Sequence, residues 1–148
     1  RSAGSLAVRL GGTGDVTRTN VLWTSRTSSY VATPLLHEGH LYWIDDRGQA
    51  FCADAKTGDQ KWQTRIGGTF WATPILAGEH ILCINQDGKA KLVKTGATKG
   101  EIVGEADFGE RIQGTPATSN GALFVRSDKH LCFRTRCLLG FSVLVNKV

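Results

Sequence analysis

An all-β fold built from repeated four-stranded units is the fold class that this sequence predicts, and three observations carry it. The stretch YVATPLLHEGHLYWIDDRGQA at 30–50 lies over FWATPILAGEHILCINQDGKA at 70–90 without a gap, and a third copy, IQGTPATSNGALFVRSDKH, follows at 112–130 after a further offset of 42 residues. Within each copy the apolar runs are short and rich in β-formers, and no stretch sustains a helical period with caps. A unit of 40 to 42 residues with three or four strands and no helix is the size of a β-propeller blade. The prediction is about three four-stranded antiparallel blades, as part of a larger propeller.

Each unit starts with a small residue and Thr-Pro: Thr33-Pro34, Thr73-Pro74 and Thr115-Pro116. Proline lacks a donor N–H, which costs little where a strand begins. A first turn follows (Glu38-Gly39, Gly78-Glu79, Asn120-Gly121), then LYWI, ILCI or LFV. These runs are apolar at successive positions, as expected of strands covered on both faces. A second turn, Asp46-Arg47-Gly48 or Gln86-Asp87-Gly88, leads to QAFCA or KAKLV. The stretch ADAKTGDQKW at 53–62 then places a Thr-Gly turn before Trp62. Glycine supplies the backbone conformation that such a turn needs, and a tryptophan that buries about 150–250 Å² is suited to tie an outer strand to the next blade. Trp23 stands ten residues before Thr33, as Trp62 stands eleven before Thr73.

The repeat units are expected at about 21–60, 61–102 and 103–133, with 5–20 belonging to a preceding blade and its connector. LAVRL at 6–10 reads as that blade's outer strand. In the third unit the tryptophan position falls near Val103, and KTGATKG at 94–100 replaces the shorter turn with extra residues, so a weaker or differently packed contact is expected there. The stretch 134–148 matches neither copy and forms a divergent tail. A propeller has about four to eight blades, whereas 148 residues supply three and a fraction. The expected neighbours are therefore further blades of the same chain, or a second chain.

Composition is that of a folded protein: 41% hydrophobic and 21% charged residues, with a net charge of +5. The basic residues are scattered, and the densest group (Lys89, Lys91, Lys94, Lys99) is interrupted by apolar positions. That is not the gathered basic surface that nucleic acid requires, so no nucleic-acid partner is expected. The longest apolar stretch, LLGFSVLV at 138–145, is far shorter than the ~20 residues of a spanning helix. Cys52, Cys83, Cys132 and Cys137 lack the paired spacing of a zinc site; the first three lie in strand-like apolar runs and read as buried thiols.

Other chemistry-bearing features read as structure. Asp45-Asp46 precedes a hairpin glycine and forms a turn. Gly11, Gly12 and Gly14 lack the lysine and helix of a phosphate loop and read as an inter-blade connector. The four histidines, His37, His40, His80 and His130, repeat no ligand spacing, and no serine lies in a nucleophile elbow. The variable positions just before Thr-Pro, Val31, Trp71 and Gln113, enter the innermost strand near the channel mouth and are the candidate recognition residues. Trp71 leads them, because aromatic side chains dominate binding hot spots.

The run Asp54-Ala55-Lys56-Thr57-Gly58 followed by Trp62 resembles the repeat motif of the pyrroloquinoline quinone (PQQ)-like β-propellers, in particular BamB-like bacterial repeat proteins; the resemblance extends over about 5–133. It implies a non-catalytic scaffold for a protein or small ligand, located in the periplasm or otherwise outside the cytoplasm, with Asp54, Thr57, Gly58, Trp62 and Trp23 as structural motif residues and no catalytic, cofactor or metal residue. The alternative is part of a PQQ-dependent quinoprotein dehydrogenase. As a family those enzymes hold PQQ above calcium beside adjacent cysteines, and this sequence has no Cys-Cys pair.

Overall fold

In the computed structural model, which describes residues 4–135 and 146–147, the chain forms four antiparallel sheets in succession. The first holds β1 (Ser5–Val8) and β2 (Val21–Ser25), joined through the one-turn helix α1 (Thr17–Asn20). The second holds β3 (Leu35–His37), β4 (His40–Ile44), β5 (Gln49–Asp54) and β6 (Gln60–Arg65). The third repeats it with β7 (Ile75–Ala77), β8 (His80–Ile84), β9 (Lys89–Lys94) and β10 (Ile102–Asp107). The fourth holds β11 (Ala117–Ser119), β12 (Ala122–Arg126), β13 (Leu131–Thr135) and the short β14 (Asn146–Lys147). Strands lie side by side in chain order, which is the arrangement of propeller blades.

Alternation along the strands gives each sheet two apolar faces. Tyr42, Ile44, Cys52 and Trp62 of the second sheet pack on Ile81, Cys83 and Val93 of the third, with Ile66 and Phe70 of the connector between them. Leu82, Ile84 and Leu92, on the other face of the third sheet, meet Val125 and Cys132 of the fourth around Ile112. The apolar runs of β4, β5 and β8 are continuous because both faces of those strands are covered. Cys52, Cys83 and Cys132 are all buried; Cys137 lies outside the described residues.

Three expectations are corrected by strand pairing. β1 pairs with β2 in a register where Trp23 faces Ala7 just before a bulge, as Trp62 faces Cys52 just before a bulge in β5–β6. Leu6–Val8 therefore occupies the third-strand position of its sheet, and the outer strand is Val21–Ser25. By the same register the glycines at 11, 12 and 14 lie in the third-to-fourth-strand connection of one sheet instead of between blades. The tryptophan position of the third sheet is Gly104, opposite Leu92 at the equivalent bulge, one residue beyond Val103. The third-to-fourth junction consequently has no tryptophan there and rests on Ala106 and Phe108 against Leu123, Val125 and Cys132.

Candidate recognition surface

Antiparallel strands in chain order place the first-to-second and third-to-fourth turns at one end of each sheet. The inter-sheet connectors and the second-to-third turns lie at the other. The repeat motif residues build the first end. Asp54 Oδ1 accepts the N–H groups of Lys56 (2.9 Å) and Thr57 (3.1 Å), and the Thr57 hydroxyl donates to Asp59 Oδ2 at 2.6 Å. These bonds hold the Asp54 carboxyl below its ordinary range, the Lys56 N–H contributing most. The turn thereby satisfies its own polar groups, which side chains of this type do in place of secondary structure.

Onto this turn docks Trp23 of the first sheet. Its indole Nε1–H donates to Ala55 O at 3.1 Å, and a Cβ placed on Gly58 would lie 2.6 Å from Trp23 Cδ2. Gly58 also has φ +77°, so both ring contact and backbone conformation require glycine. The next sheet repeats the contact. Trp62 Nε1–H donates to Gly96 O at 2.7 Å, and a Cβ on Gly100 would lie 2.6 Å from the Trp62 ring. Gly96 N–H donates to the Tyr42 hydroxyl at 2.9 Å, and Thr64 Oγ1–H donates to Gly100 O at 2.8 Å. The longer turn at 94–100 thus engages the preceding sheet through Gly96 and Gly100, and the junction without a tryptophan is the following one, at Gly104. The two parts of ADAKTGDQKW face opposite neighbours: its turn receives Trp23, while its own Trp62 reaches forward.

At the other end the Thr-Pro positions form a ladder that sequence reasoning did not anticipate. Thr33 N–H donates to Thr73 Oγ1 at 3.0 Å, and Thr73 N–H donates to Thr115 Oγ1 at 3.0 Å. Recurrence of threonine in all three units was its signal. The ladder holds the stretches 30–33, 70–73 and 112–115 side by side. Phe70 and Ile112 are buried plugs between sheets, and Ala32 and Ala72 are buried as well. Val31 and Trp71 face outward, 46% and 44% exposed, beside the still more exposed Tyr30, with Gln113 half-buried. The three candidate recognition residues therefore occupy one repeated position beside the inner strands.

A second cluster escaped the sequence altogether. Glu110 accepts from the Ser127 hydroxyl through Oε2, and its carboxylate lies 2.7 Å from His130 Nδ1. The serine hydroxyl and the imidazole both bind the carboxylate, and Ser127 Oγ meets the backbone N–H and carbonyl of His130 but not its ring, so the imidazole is not placed to take the serine proton. The cluster ties the connector at 108–111 to the turn at 127–130. Asp45 Oδ1 caps its own hairpin, accepting from Arg47 and Gln49 N–H at 3.0 and 2.8 Å. Lys91, in the densest basic stretch, pairs with Glu105 at 3.0 Å. Among the described residues no group of three His, Cys, Asp or Glu side chains could hold a metal ion, and Cys52, Cys83 and Cys132 sit in three different sheets.

Repeated sheets, tryptophan contacts and the threonine ladder define this as a set of β-propeller blades. The chain belongs to the family described as outer membrane protein assembly factor BamB, whose model matches residues 13–90. Among solved structures it is similar to BamB from Moraxella catarrhalis, with 18% identity over 76% of this chain and 33% of that chain and a TM-score of 0.63. It is also similar to a quinohemoprotein alcohol dehydrogenase from Pseudomonas putida (15% identity, 71% of this chain and 19% of that chain, TM-score 0.60). A third likeness is to one from Comamonas testosteroni (19% identity, 64% of this chain and 16% of that chain, TM-score 0.54). At these identities the likeness is one of fold. No curated protein sequence matches the chain. No helix of the described residues is long and apolar enough to cross a membrane.

Proposed function

We propose that the chain is a non-catalytic propeller scaffold that binds a protein or small ligand at the connector end of its blades, with Trp71 as anchor and Val31 and Gln113 beside it. The observation that carries this reading is the exposure of Trp71 at a repeat position flanked by buried Phe70 and Ala72. A large aromatic held rigidly on a scaffold contributes contact area at low entropic cost. Membership in a family described as an outer membrane assembly factor supports a location outside the cytoplasm and a protein partner. The scaffold reading requires neither PQQ nor calcium.

The test compares wild type with Trp71→Ala. Both are immobilised to capture proteins from a bacterial envelope extract, and both are unfolded in urea. The reading expects unfolding within about 0.5 kcal/mol of wild type and at least about 30-fold weaker binding of any captured partner, the loss of a hot spot of about 2 kcal/mol. Loss of stability with no selective loss of binding would make Trp71 a packing residue. A saturable change in stability on adding PQQ with calcium would favour the dehydrogenase alternative.

A further inference from the structure

Two side chains at the connector end do not recur in the repeat. Trp71 stands where the other units have Val31 and Gln113, and Gln86 stands where they have Asp46 and Asp128. The backbone at this second position does recur: Gln86 N–H donates to Thr69 O at 2.9 Å, as Asp128 N–H donates to Arg111 O at 3.0 Å. Ile112 N–H donates in turn to Gln86 O at 3.1 Å. Gln86 is therefore held between the connector that carries Trp71 and the one that carries Gln113. Asp46 and Asp128 are exposed, whereas Gln86 is half-buried, and its side-chain Nε2 is buried without a hydrogen-bond partner.

A buried amide nitrogen without an acceptor lowers stability, and a native structure that keeps one calls for a reason. Packing does not supply it, because a leucine would fill similar space without the unmet donors. Further donors lie on the same ladder. Thr73 Oγ1 accepts from Thr33 N–H and Thr115 Oγ1 accepts from Thr73 N–H, which leaves the hydrogen of each hydroxyl for an acceptor outside the ladder. The charged side chains that flank this position, Asp87 and Arg111, are exposed and opposite in sign, so no net charge selects an ion. An extended peptide would pair along a strand edge, but β7 begins only at Ile75, and Pro74 before it has no N–H. The position therefore combines an exposed indole with neutral donors that seek oxygen.

We propose that the ligand of this surface is a neutral pyranose sugar, whose flat C–H face lies on the Trp71 ring and whose oxygens accept from the Gln86 amide and the ladder hydroxyls. The inference rests on the recognition reading above and narrows it from a protein or small ligand to a sugar. The face of an indole carries partial negative charge, which attracts the weakly positive axial C–H groups of a pyranose. A β-glucosyl ring, with every hydroxyl equatorial, presents such C–H groups on both faces. Amides and hydroxyls both donate and accept, which matches them to neighbouring hydroxyls of a sugar. The terminal torsion of glutamine is soft, so the Gln86 amide turns its buried Nε2 toward the ligand on binding.

Cellotriose, a chain of β-glucosyl rings, is the probe, titrated into the 148-residue chain while NMR follows the indole and side-chain amide N–H signals. The proposal expects saturable shifts of the Trp71 indole and Gln86 amide signals. Sorbitol, an open chain of hydroxyls with no flat face, should produce neither. Trp71→Ala and Gln86→Leu should each weaken cellotriose binding at least about tenfold. Gln86→Leu should also keep or raise the urea midpoint, because it removes unmet donors and retains bulk. No cellotriose binding, equal binding of sorbitol, or affinity unchanged in either variant overturns the proposal, and so does a lowered midpoint for Gln86→Leu, which would make the amide a structural group. Capture of a protein partner that depends on Trp71, without cellotriose binding, would leave the recognition reading standing and remove the sugar.

Discussion

Replacing Trp62 by Ala probes the contact on which the sheet-to-sheet arrangement depends. Trp62 is buried, and a tryptophan removes about 150–250 Å² from water. At about 25 cal/mol per Å² that is roughly 4–6 kcal/mol, an upper bound because the unfolded chain already buries part of this area. The Nε1–H bond to Gly96 O adds about 1 kcal/mol net, while truncations of buried aromatics typically cost about 3–5 kcal/mol. The expected loss is therefore about 3–5 kcal/mol, read as a lower urea midpoint at unchanged slope. Trp62→Phe keeps a ring and loses only part of the area and the N–H, so about 1–2 kcal/mol is expected. A loss below about 1 kcal/mol for Trp62→Ala would refute the role assigned to this residue.

Two further outcomes follow from titratable groups. Burial pushes the Cys52 thiol up to about 11 and the Cys83 thiol up to about 12, so iodoacetamide at neutral pH should leave both unmodified in the native protein and alkylate both in concentrated urea. Rapid native labelling, located by peptide mass spectrometry, would contradict their packing. Asp54 has a folded pKa held below its ordinary 3.8, so the unfolded chain binds its proton first. Its stabilising effect is present above 3.8 and disappears as pH falls through the lower folded value. Asp54→Asn should flatten that part of the acid-unfolding curve, whereas an unchanged profile would show that the turn does not depend on its charge.

Much of the architecture was legible because the repeat exposes it. Gap-free superposition of 30–50 on 70–90 located turns and strands together, and apolar residues at successive positions marked strands covered on both sides. Phase was harder to read. A tryptophan at the head of a sequence unit belongs to the last strand of the preceding sheet, because the register is set by the bulge after Cys52 and its counterparts, and a bulge leaves no sequence signal of its own. The same cause displaced the tryptophan position from Gly104 to Val103.

Legibility of the candidate site was uneven in a different way. Aromatic character singled out Trp71, but its exposure depends on Phe70 and Ala72 turning inward, a matter of packing. The threonine ladder had a signal in the repeated Thr-Pro, yet that Thr73 Oγ1 accepts from Thr33 depends on how neighbouring units pack, which the sequence does not state. Glu110, Ser127 and His130 had no signal as a group, since the repeat aligns the turn at 127–130 but not the connector that carries Glu110.

The central claim is that a tryptophan of one sheet fits against a turn glycine of the next, and a double-mutant cycle on Trp23 and Gly58 tests it most directly. Gly58→Ala alone carries about 1–2 kcal/mol of left-handed backbone strain and about 1–3 kcal/mol of overpacking against the ring. In the Trp23→Ala background the strain remains and the overpacking disappears. The account predicts that the two substitutions together cost about 1–3 kcal/mol less than the sum of their separate costs. Additivity within about 0.5 kcal/mol, the behaviour of independent sites, would contradict it.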